Sequence, residues 1–434
     1  MYKAYPEDIR LLPGMLSLDF LRSLTAVILR SGLLVLFYIP WRLIGTADAC
    51  IDHAFASDSQ HKQFCVRHQF AWYREITCDI LNSEMTLATG CTEPAAIALC
   101  AAYAREHLKG QVADLQVLAS VNIIKNAMAA GIPGTPHTGI DYAAALGAIG
   151  GRTERQLQVI DQASDEERQK AVELVRSGHV KMGKKETVEK LYVEVEVKSA
   201  DGHQAKAIIA SAHTNLIYAE EDGKAVIDHP MGTRVSGVST DTIDKTLSLA
   251  SIYEFANTLD RETDDLHMIE LAIRVNQRIA QEGAEKRFNL HVGQNIRAMK
   301  KNGYLSNDMV SAAMEHTACG IDARMGGANV PVVTNSGSGN QGITATIPVV
   351  TAAEFLSADE DKTFRAVTLS HLVAIYIHCH FGLLSALCGA TVAGAGAACG
   401  LVYLMGGTLE QIGYAINNMM GTVTGMLCDG AKAD

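Results

Sequence analysis

The segment Leu383 to Gly400 reads Leu-Leu-Ser-Ala-Leu-Cys-Gly-Ala-Thr-Val-Ala-Gly-Ala-Gly-Ala-Ala-Cys-Gly, and it constrains the fold more than any other stretch of the chain. It is long enough for about five helical turns, and its composition predicts a buried helix of small residues. Such a helix cannot fill a core with its own side chains. It needs neighbouring backbones packed very close, or a bulky prosthetic group in the space beside it. Cys388 and Cys399 lie about three turns apart on this segment and so share a face. The rest of the chain follows the same economy, with hydrophobic residues at 48% but aromatics at only 6%, and 37 Gly. The core is therefore expected to consist of small side chains and closely approaching backbones.

A chain of 434 residues has volume for two or three domains. Its net charge of −11 argues against nucleic acid and against anionic membrane surfaces as main partners. The 10 Cys lack the dense, regular spacing of a small secreted disulfide scaffold. Several sit within apolar segments, which fits a reducing compartment, and the cytoplasm is the expected location. Residues 1–72 differ from the rest. Their apolar run from Leu24 to Ile44 is broken by Arg30, Pro40 and Arg42. Three readings are open: an upstream extension, a targeting or anchoring segment, and a core element. With Arg30 inside the run, a membrane partner is not expected.

Beyond residue 72 the pattern becomes regular. Helices are expected at 73–87, 94–108, 125–130 and 142–149, with charged helices over 154–177 and a strand at 114–121. Leu191–Val197 and Ala205–Ser211 alternate apolar and polar residues around Asp201-Gly202, a hairpin signature. Further strands are expected at 213–217 and 224–227. After about residue 240 the pattern is helical. The expectation is an α+β fold in which residues 73–240 hold a small, hairpin-rich sheet and residues 241–434 form a helical domain of small-residue helices.

Cys91, in Gly-Cys-Thr-Glu-Pro (90–94), precedes an apolar helix with Thr92 as the expected N-cap. A thiol at a helix start feels the positive end of the macrodipole, which favours thiolate, the form that attacks, abstracts protons or binds metal. A buried structural Cys is the other reading. The loop 334–342 (Thr-Asn-Ser-Gly-Ser-Gly-Asn-Gln-Gly) also precedes a helix. Its glycines permit a concave nest of N–H donors for a carboxylate or phosphate, and Asn335, Ser336, Ser338, Asn340 and Gln341 add side-chain donors. A plain turn is the alternative. Arg324, in Asp-Ala-Arg-Met-Gly-Gly-Ala (322–328), is a candidate carboxylate clamp, or else a structural partner of Asp322. Cys91, Cys388 and Cys428 are solitary, which suits an iron–sulfur centre better than zinc. His213 follows a strand. His371, His378 and His380 share an apolar segment. Lys125 is the one candidate for a Schiff base.

Taken together these motifs resemble the L-cysteine desulfidase family, a serine dehydratase alpha-chain-like group of the UPF0597 type. Gly-Cys-Thr-Glu-Pro, Pro-Gly-Thr (133–135), His-Thr-Asn (213–215), 322–328, 335–342, Leu-Ser-Ala-Leu-Cys (384–388) and Cys-Asp-Gly-Ala (428–431) carry the resemblance, in order, over about residues 75–434. The resemblance implies a [4Fe–4S] lyase that needs no pyridoxal phosphate and converts L-cysteine to pyruvate, ammonia and sulfide, or L-serine by the same logic. It implies Cys388 and Cys428 as cluster ligands, and Cys91 as third ligand or thiolate base. His213 is the alternative base, and Arg324 with the 335–341 residues would hold the substrate carboxylate. Residues 1–72 have no counterpart in the family, and a further Cys is expected just after Asp434. A homodimer is a plausible assembly for a lyase of this size. Two rivals remain at this stage: a pyridoxal phosphate lyase cradling phosphate on 335–342, and a non-catalytic binding or membrane-associated protein.

Overall fold

Strict alternation of Val with Glu in Val193-Glu194-Val195-Glu196-Val197 makes one face of a strand apolar and the other charged, and a sheet forms around it. The computed structural model describes residues 59–233, 237–288, 290–382, 384 and 387–426, with side chains from residue 71. Its front half runs α1 (Ser59–Glu84), β1 (Leu87–Thr89), α2 (Thr92–Glu106), β2 (Val112–Ala119), α3 (Val121–Ala127), α4 (Ile140–Gly150), α5 (Asp165–Arg176), β3 (Val180–Lys184), β4 (Tyr192–Ser199), β5 (Gln204–Ala210), β6 (Leu216–Glu221) and β7 (Lys224–Asp228). The six-stranded sheet has the order β3-β2-β4-β5-β6-β7. Only β2 and β3 pair in parallel. Val193, Val195, Val197, Ala205, Ala207 and Ile209 are fully buried under α2 and α4 and make one large core with them.

The back half is helical: α6 (Thr240–Thr246), α7 (Leu249–Thr258), α8 (His267–Glu285), α9 (Val292–Lys301), α10 (Met309–Met325), then the short strand β8 (Pro331–Val333), α11 (Gly339–Phe355), α12 (Glu360–Phe381), α13 (Gly389–Leu404) and α14 (Leu409–Val423). A second core joins Cys78, Ile80, Leu81 and Met85 of α1 to α7, α8, α11, α12 and α13. From Phe70 onward the described chain forms one compact unit. The fold is α+β, with the sheet in the front half and helices behind it.

Three local expectations are corrected. The predicted strand at 213–217 begins only at Leu216, because Asn215 ties the preceding turn to the carbonyls of Ala210 and Thr233 (both 2.8 Å). Strand β3 escapes sequence reading because Lys181 and Lys184 punctuate it, as suits an exposed sheet edge. The helix expected from Leu383 starts at Gly389 instead. Gly382 (φ 74°) and Leu384 (φ 52°) adopt left-handed backbone and end α12, and Cys388 becomes the N-cap of α13. Cys388 therefore points from a helix start rather than a mid-helix face, whereas Cys399 is buried inside α13.

Close approach explains the small residues of α13. A Cβ on Gly396 would lie 2.3 Å from the backbone oxygen of Ser370 on α12. Among the described residues no helix is long and apolar enough to cross a membrane. Residues 1–58, including the segment 24–44, lie outside the described residues, as does Cys428. Gly396→Ala is expected to destabilise the protein by about 1–3 kcal/mol through overpacking. Gly394→Ala, whose Cβ would meet only the mobile end of Met419, is expected to leave stability unchanged or raise it by about 0.5–1 kcal/mol through helix propensity. Urea midpoints of the two variants check this contrast.

Candidate active site

The smallest sheet in the molecule assembles the site. β1 and β8 pair antiparallel, Leu87 opposite Val333 and Thr89 opposite Pro331. The pairing continues as Thr334 N–H donates to Thr86 O (2.8 Å) and Ser336 N–H to Glu84 O (2.8 Å). Two segments some 240 residues apart in sequence, the Cys91 motif and the 335–341 loop, thus leave one ribbon side by side.

On the first side, Gly90 (φ 72°) packs so tightly on Pro133 that a Cβ would lie 2.3 Å from its ring. The Gly-Cys-Thr-Glu-Pro and Pro-Gly-Thr motifs are therefore one packed unit. The N-cap of α2 is Cys91 itself, not Thr92, and the thiol makes no capping bond. Its sulfur lies 3.8 Å from Met325 Sδ. The expected fall in its pKa does not occur. Burial pushes the Cys91 thiol up, Glu93 adds to the rise, and Arg324 only partly opposes it.

On the second side, Asn335 and Ser338 exchange backbone bonds (3.1 and 3.0 Å) around Ser336 and Gly337, both at positive φ (46° and 78°). This is a tight hairpin turn, not the expected open nest. Ser338 caps α11, accepting from Gln341 N–H (3.3 Å), so the open N–H donors are those of Gly339 and Asn340 in the first turn. The Arg324 guanidinium lies directly over Gly339, where a Cβ would come 2.2 Å from its Nε. Arg324 does not pair with Asp322, whose carboxylate accepts from Gly293 N–H instead (2.9 Å). Its Nη1 donates to Asn340 Oδ1 (2.8 Å), and its Nε is buried without a partner. Arg324 is only 4% exposed. A buried guanidinium with no carboxylate partner among the described residues, set at a helix N-terminus, is built to receive an anion.

The other candidates divide by what their polar atoms do. Asn335 is fully buried and fully used. Its Nδ2 donates to His371 Nδ1 (3.0 Å) and His371 O (3.2 Å), and its Oδ1 accepts from Gln341 Nε2 (2.7 Å) and Ser336 Oγ (3.1 Å). Asn335 and Ser336 thus shape the loop, while Asn340 steers Arg324. Gln341 keeps a buried, unpartnered Oε1. His213 is buried with an unpartnered Nε2. Burial lowers its pKa, with Glu93 opposing and Arg324 assisting, so its imidazole is neutral near pH 7. Cys388 is partly exposed at the start of α13 and makes no capping bond. The neighbouring Gly389 sits against Gln341 Oε1, 2.7 Å from a Cβ there. A partly exposed thiol at a helix start, which makes no capping bond, fits a thiolate ligand of an iron–sulfur centre. Among the described residues a separate set of potential metal donors, Asp244, Cys379 and His380, lies with ligand atoms within 4.8 Å of one another and includes none of the three cysteines named above.

A family model described as serine dehydratase alpha chain matches residues 154–433, which include Arg324, the 335–341 loop, Cys388 and Cys428. The chain belongs to the serine dehydratase alpha-chain family. Similar relatives, each named UPF0597 protein, come from Porphyromonas gingivalis (42% identical, over 81% of this chain and 82% of the relative), Phocaeicola vulgatus (42%, over 83% and 82%) and Clostridium perfringens (41%, over 83% of each). Membership places the chain among lyases of amino-acid catabolism.

Several residues of the candidate site were not singled out from sequence. Glu93, Met325 and Asn126 are not among the sequence-predicted site residues. His371 reads as a lone core histidine, and that is close to its place: it receives Asn335 on Nδ1, and its Nε2 bonds Thr346 Oγ1 (2.9 Å). Thr346 is held in turn by Asn276 (3.1 Å), which also grips both backbone polar groups of Val333. Burial pushes the His371 pKa down to about 3. Its depressed folded value means that the unfolded state takes up the proton first as pH falls below 6.5, so native stability declines with acidification. Between pH 7 and pH 5 the stability gap between the parent protein and His371→Gln is expected to narrow by about 2 kcal/mol. Urea titrations at the two pH values measure it.

Proposed function

We propose that this chain is an iron–sulfur lyase that removes sulfide and ammonia from L-cysteine to give pyruvate. The observation that carries the reading is the buried guanidinium of Arg324 at the start of α11, which keeps an Nε without a partner and has no carboxylate partner among the described residues. L-Serine is the second reading, supported by the description of the family to which the chain belongs.

The residues divide the work as follows. Arg324 and the N–H groups of Gly339 and Asn340 bind the substrate carboxylate, with Asn340 fixing the guanidinium plane. That anchoring presents the α-hydrogen to a base. His213 suits this role because its imidazole is neutral and its Nε2 is free to accept a proton. Cys91 is the alternative base, or the third sulfur ligand. Cys388 and Cys428, with Cys91 as the further candidate, would hold a [4Fe–4S] cluster, which supplies Lewis-acid help to the leaving heteroatom when bound. Burial of Cys91, His213 and Arg324 keeps water from the reacting centre. Release of aminoacrylate completes the enzyme's part, since hydrolysis to pyruvate and ammonia needs no catalyst.

Anaerobic purification of the chain, alone and extended beyond residue 434, is expected to give brown protein with equal amounts of iron and acid-labile sulfide. It should form pyruvate from L-cysteine, with L-serine assayed in parallel. A colourless, iron-free preparation of full activity would overturn the cluster, and a loaded protein inert on both amino acids would overturn the lyase. Arg324→Gln is expected to raise KM by about 10- to 100-fold, the worth of a charge-assisted carboxylate contact. If His213 is the base, the acid limb of kcat/KM falls below the ordinary imidazole value of 6.5 and vanishes in His213→Asn.

A further inference from the structure

We propose that Glu93 and Asn126 form the subsite for the substrate's α-ammonium group, so that the pocket selects free α-amino acids over acids lacking the amine. This inference rests on the reading of Arg324 as the carboxylate anchor. It names what grips the other end of the substrate.

Glu93 is an acid in an unusual place: 8% exposed, in the first turn of α2, two residues after Cys91. It accepts from Thr92 Oγ1 (3.1 Å) on one oxygen and from Asn126 Nδ2 (2.8 Å) on the other. A carboxylate offers about four lone-pair positions, so two bonds leave it half satisfied. Neither donor carries a charge, and among the described residues Glu93 makes no ion pair. A buried carboxylate without a cation is as costly as a buried guanidinium without an anion.

Asn126 supplies the second observation. Because its Nδ2 donates to Glu93, the amide orientation is fixed: flipping it would set two acceptors against each other. Its Oδ1 is left buried with no donor. A charged acceptor and an orphaned neutral acceptor on adjoining side chains ask for one group with several N–H bonds and a positive charge. An ammonium group has both.

Both subsites must share one pocket. In an α-amino acid a single carbon separates the carboxylate from the amine, so cation and anion on the protein must face the same small volume. Cys91 Sγ and Arg324 Nη1 both contact Met325 Sδ (3.8 and 3.7 Å), and Glu93 follows Cys91 in the first turn of α2. Arg324 and Glu93 are thus brought to the same part of the site, and their opposite charges match those of a bound zwitterion. With both ends held, only rotation about the line joining them remains. That leaves the α-hydrogen and the β-carbon as the parts presented to the base and the leaving-group side.

The test uses ligands with no leaving group, so binding is read without turnover: L-alanine, and propionate as the same molecule without its amine. On the anaerobically prepared full chain, titration by NMR or calorimetry is expected to show L-alanine binding at least 10-fold tighter than propionate, and Glu93→Gln is expected to abolish that preference while changing propionate less than 2-fold. Asn126→Leu should weaken L-alanine by about 5-fold and spare propionate, whereas Arg324→Gln should weaken both. Thermal melts show which variants fold, and Asn126→Leu decides the matter should Glu93→Gln fail to. Equal affinity for the two ligands in the parent protein overturns the subsite, as does parallel loss of both in Glu93→Gln or an undiminished preference there. Pyruvate formation without the preference leaves the lyase standing and the subsite fallen. The preference without pyruvate formation does the reverse.

Discussion

Two backbone strands of three residues each, Leu87–Thr89 and Pro331–Val333, hold the rest of the site in register. Neither would be stable alone, since an isolated two-stranded ribbon is marginal in water. This ribbon persists because Asn276 on α8 hydrogen-bonds both backbone polar groups of Val333, and because Ala88, Val332 and Val333 are fully buried. The Cys91 motif and the 335–341 turn leave from its ends. Cys91 and Glu93 follow β1 by a few residues. The hairpin turn and the start of α11 follow β8. The register therefore sets the position of the thiol relative to the guanidinium, and a one-residue slip would turn every side chain of either strand to the opposite face.

Around that ribbon the chain keeps charges buried and unpaired that an ordinary core would pair or exclude. Arg324 could have taken Asp322, two residues away, but Asp322 is turned to the start of α9, where it accepts from Gly293. Glu93 is held by a hydroxyl and an amide, which orient it without neutralising it. By contrast the neutral network beneath the site leaves nothing open. His371, Asn335, Thr346 and Asn276 satisfy one another and Val333, and burial holds His371 in its uncharged form. The difference is physical. A saturated network fixes geometry, while an unsatisfied ion stores free energy that only a ligand of the right charge releases.

Much of this was legible in the sequence, and the parts that were not share a cause. Alternating strands around Asp201-Gly202 follow from local pattern and are present, and the close-packed helix expected over 383–400 is present over 389–404. Arg324 and the residues of 335–341 stood out because Gly-rich loops before apolar helices are uncommon. What sequence could not reveal was which polar atoms would be used up. Asn335 and Gln341 look equally available on paper, yet one is saturated and the other keeps a bare Oε1. Cys91 looked like an activated thiol because the helix start was visible in the motif and the depth of burial was not. Asn126 carried no signal, since its importance comes from a side chain 33 residues away.

The separation of α12 from α13 turns a packing helix into part of the site. Had Leu383–Gly400 been one continuous helix, Cys388 would have lain in mid-helix with its amide committed to the ladder. Left-handed backbone at Gly382 and Leu384 stops α12 and lets α13 begin afresh, with Cys388 as its N-cap. Gly389 then allows that new helix start to press against Ser338 and Gln341 at the start of α11. Three helix N-termini, those of α2, α11 and α13, are consequently capped by Cys91, Ser338 and Cys388, and the caps of the last two touch through Gly389. Helix starts favour negative charge, which suits an anion at the start of α11, while at Cys91 burial outweighs that effect. The small residues of α13 make this possible: only a helix without bulk can approach α12 as closely as Gly396 does and still deliver its first residue to the loop.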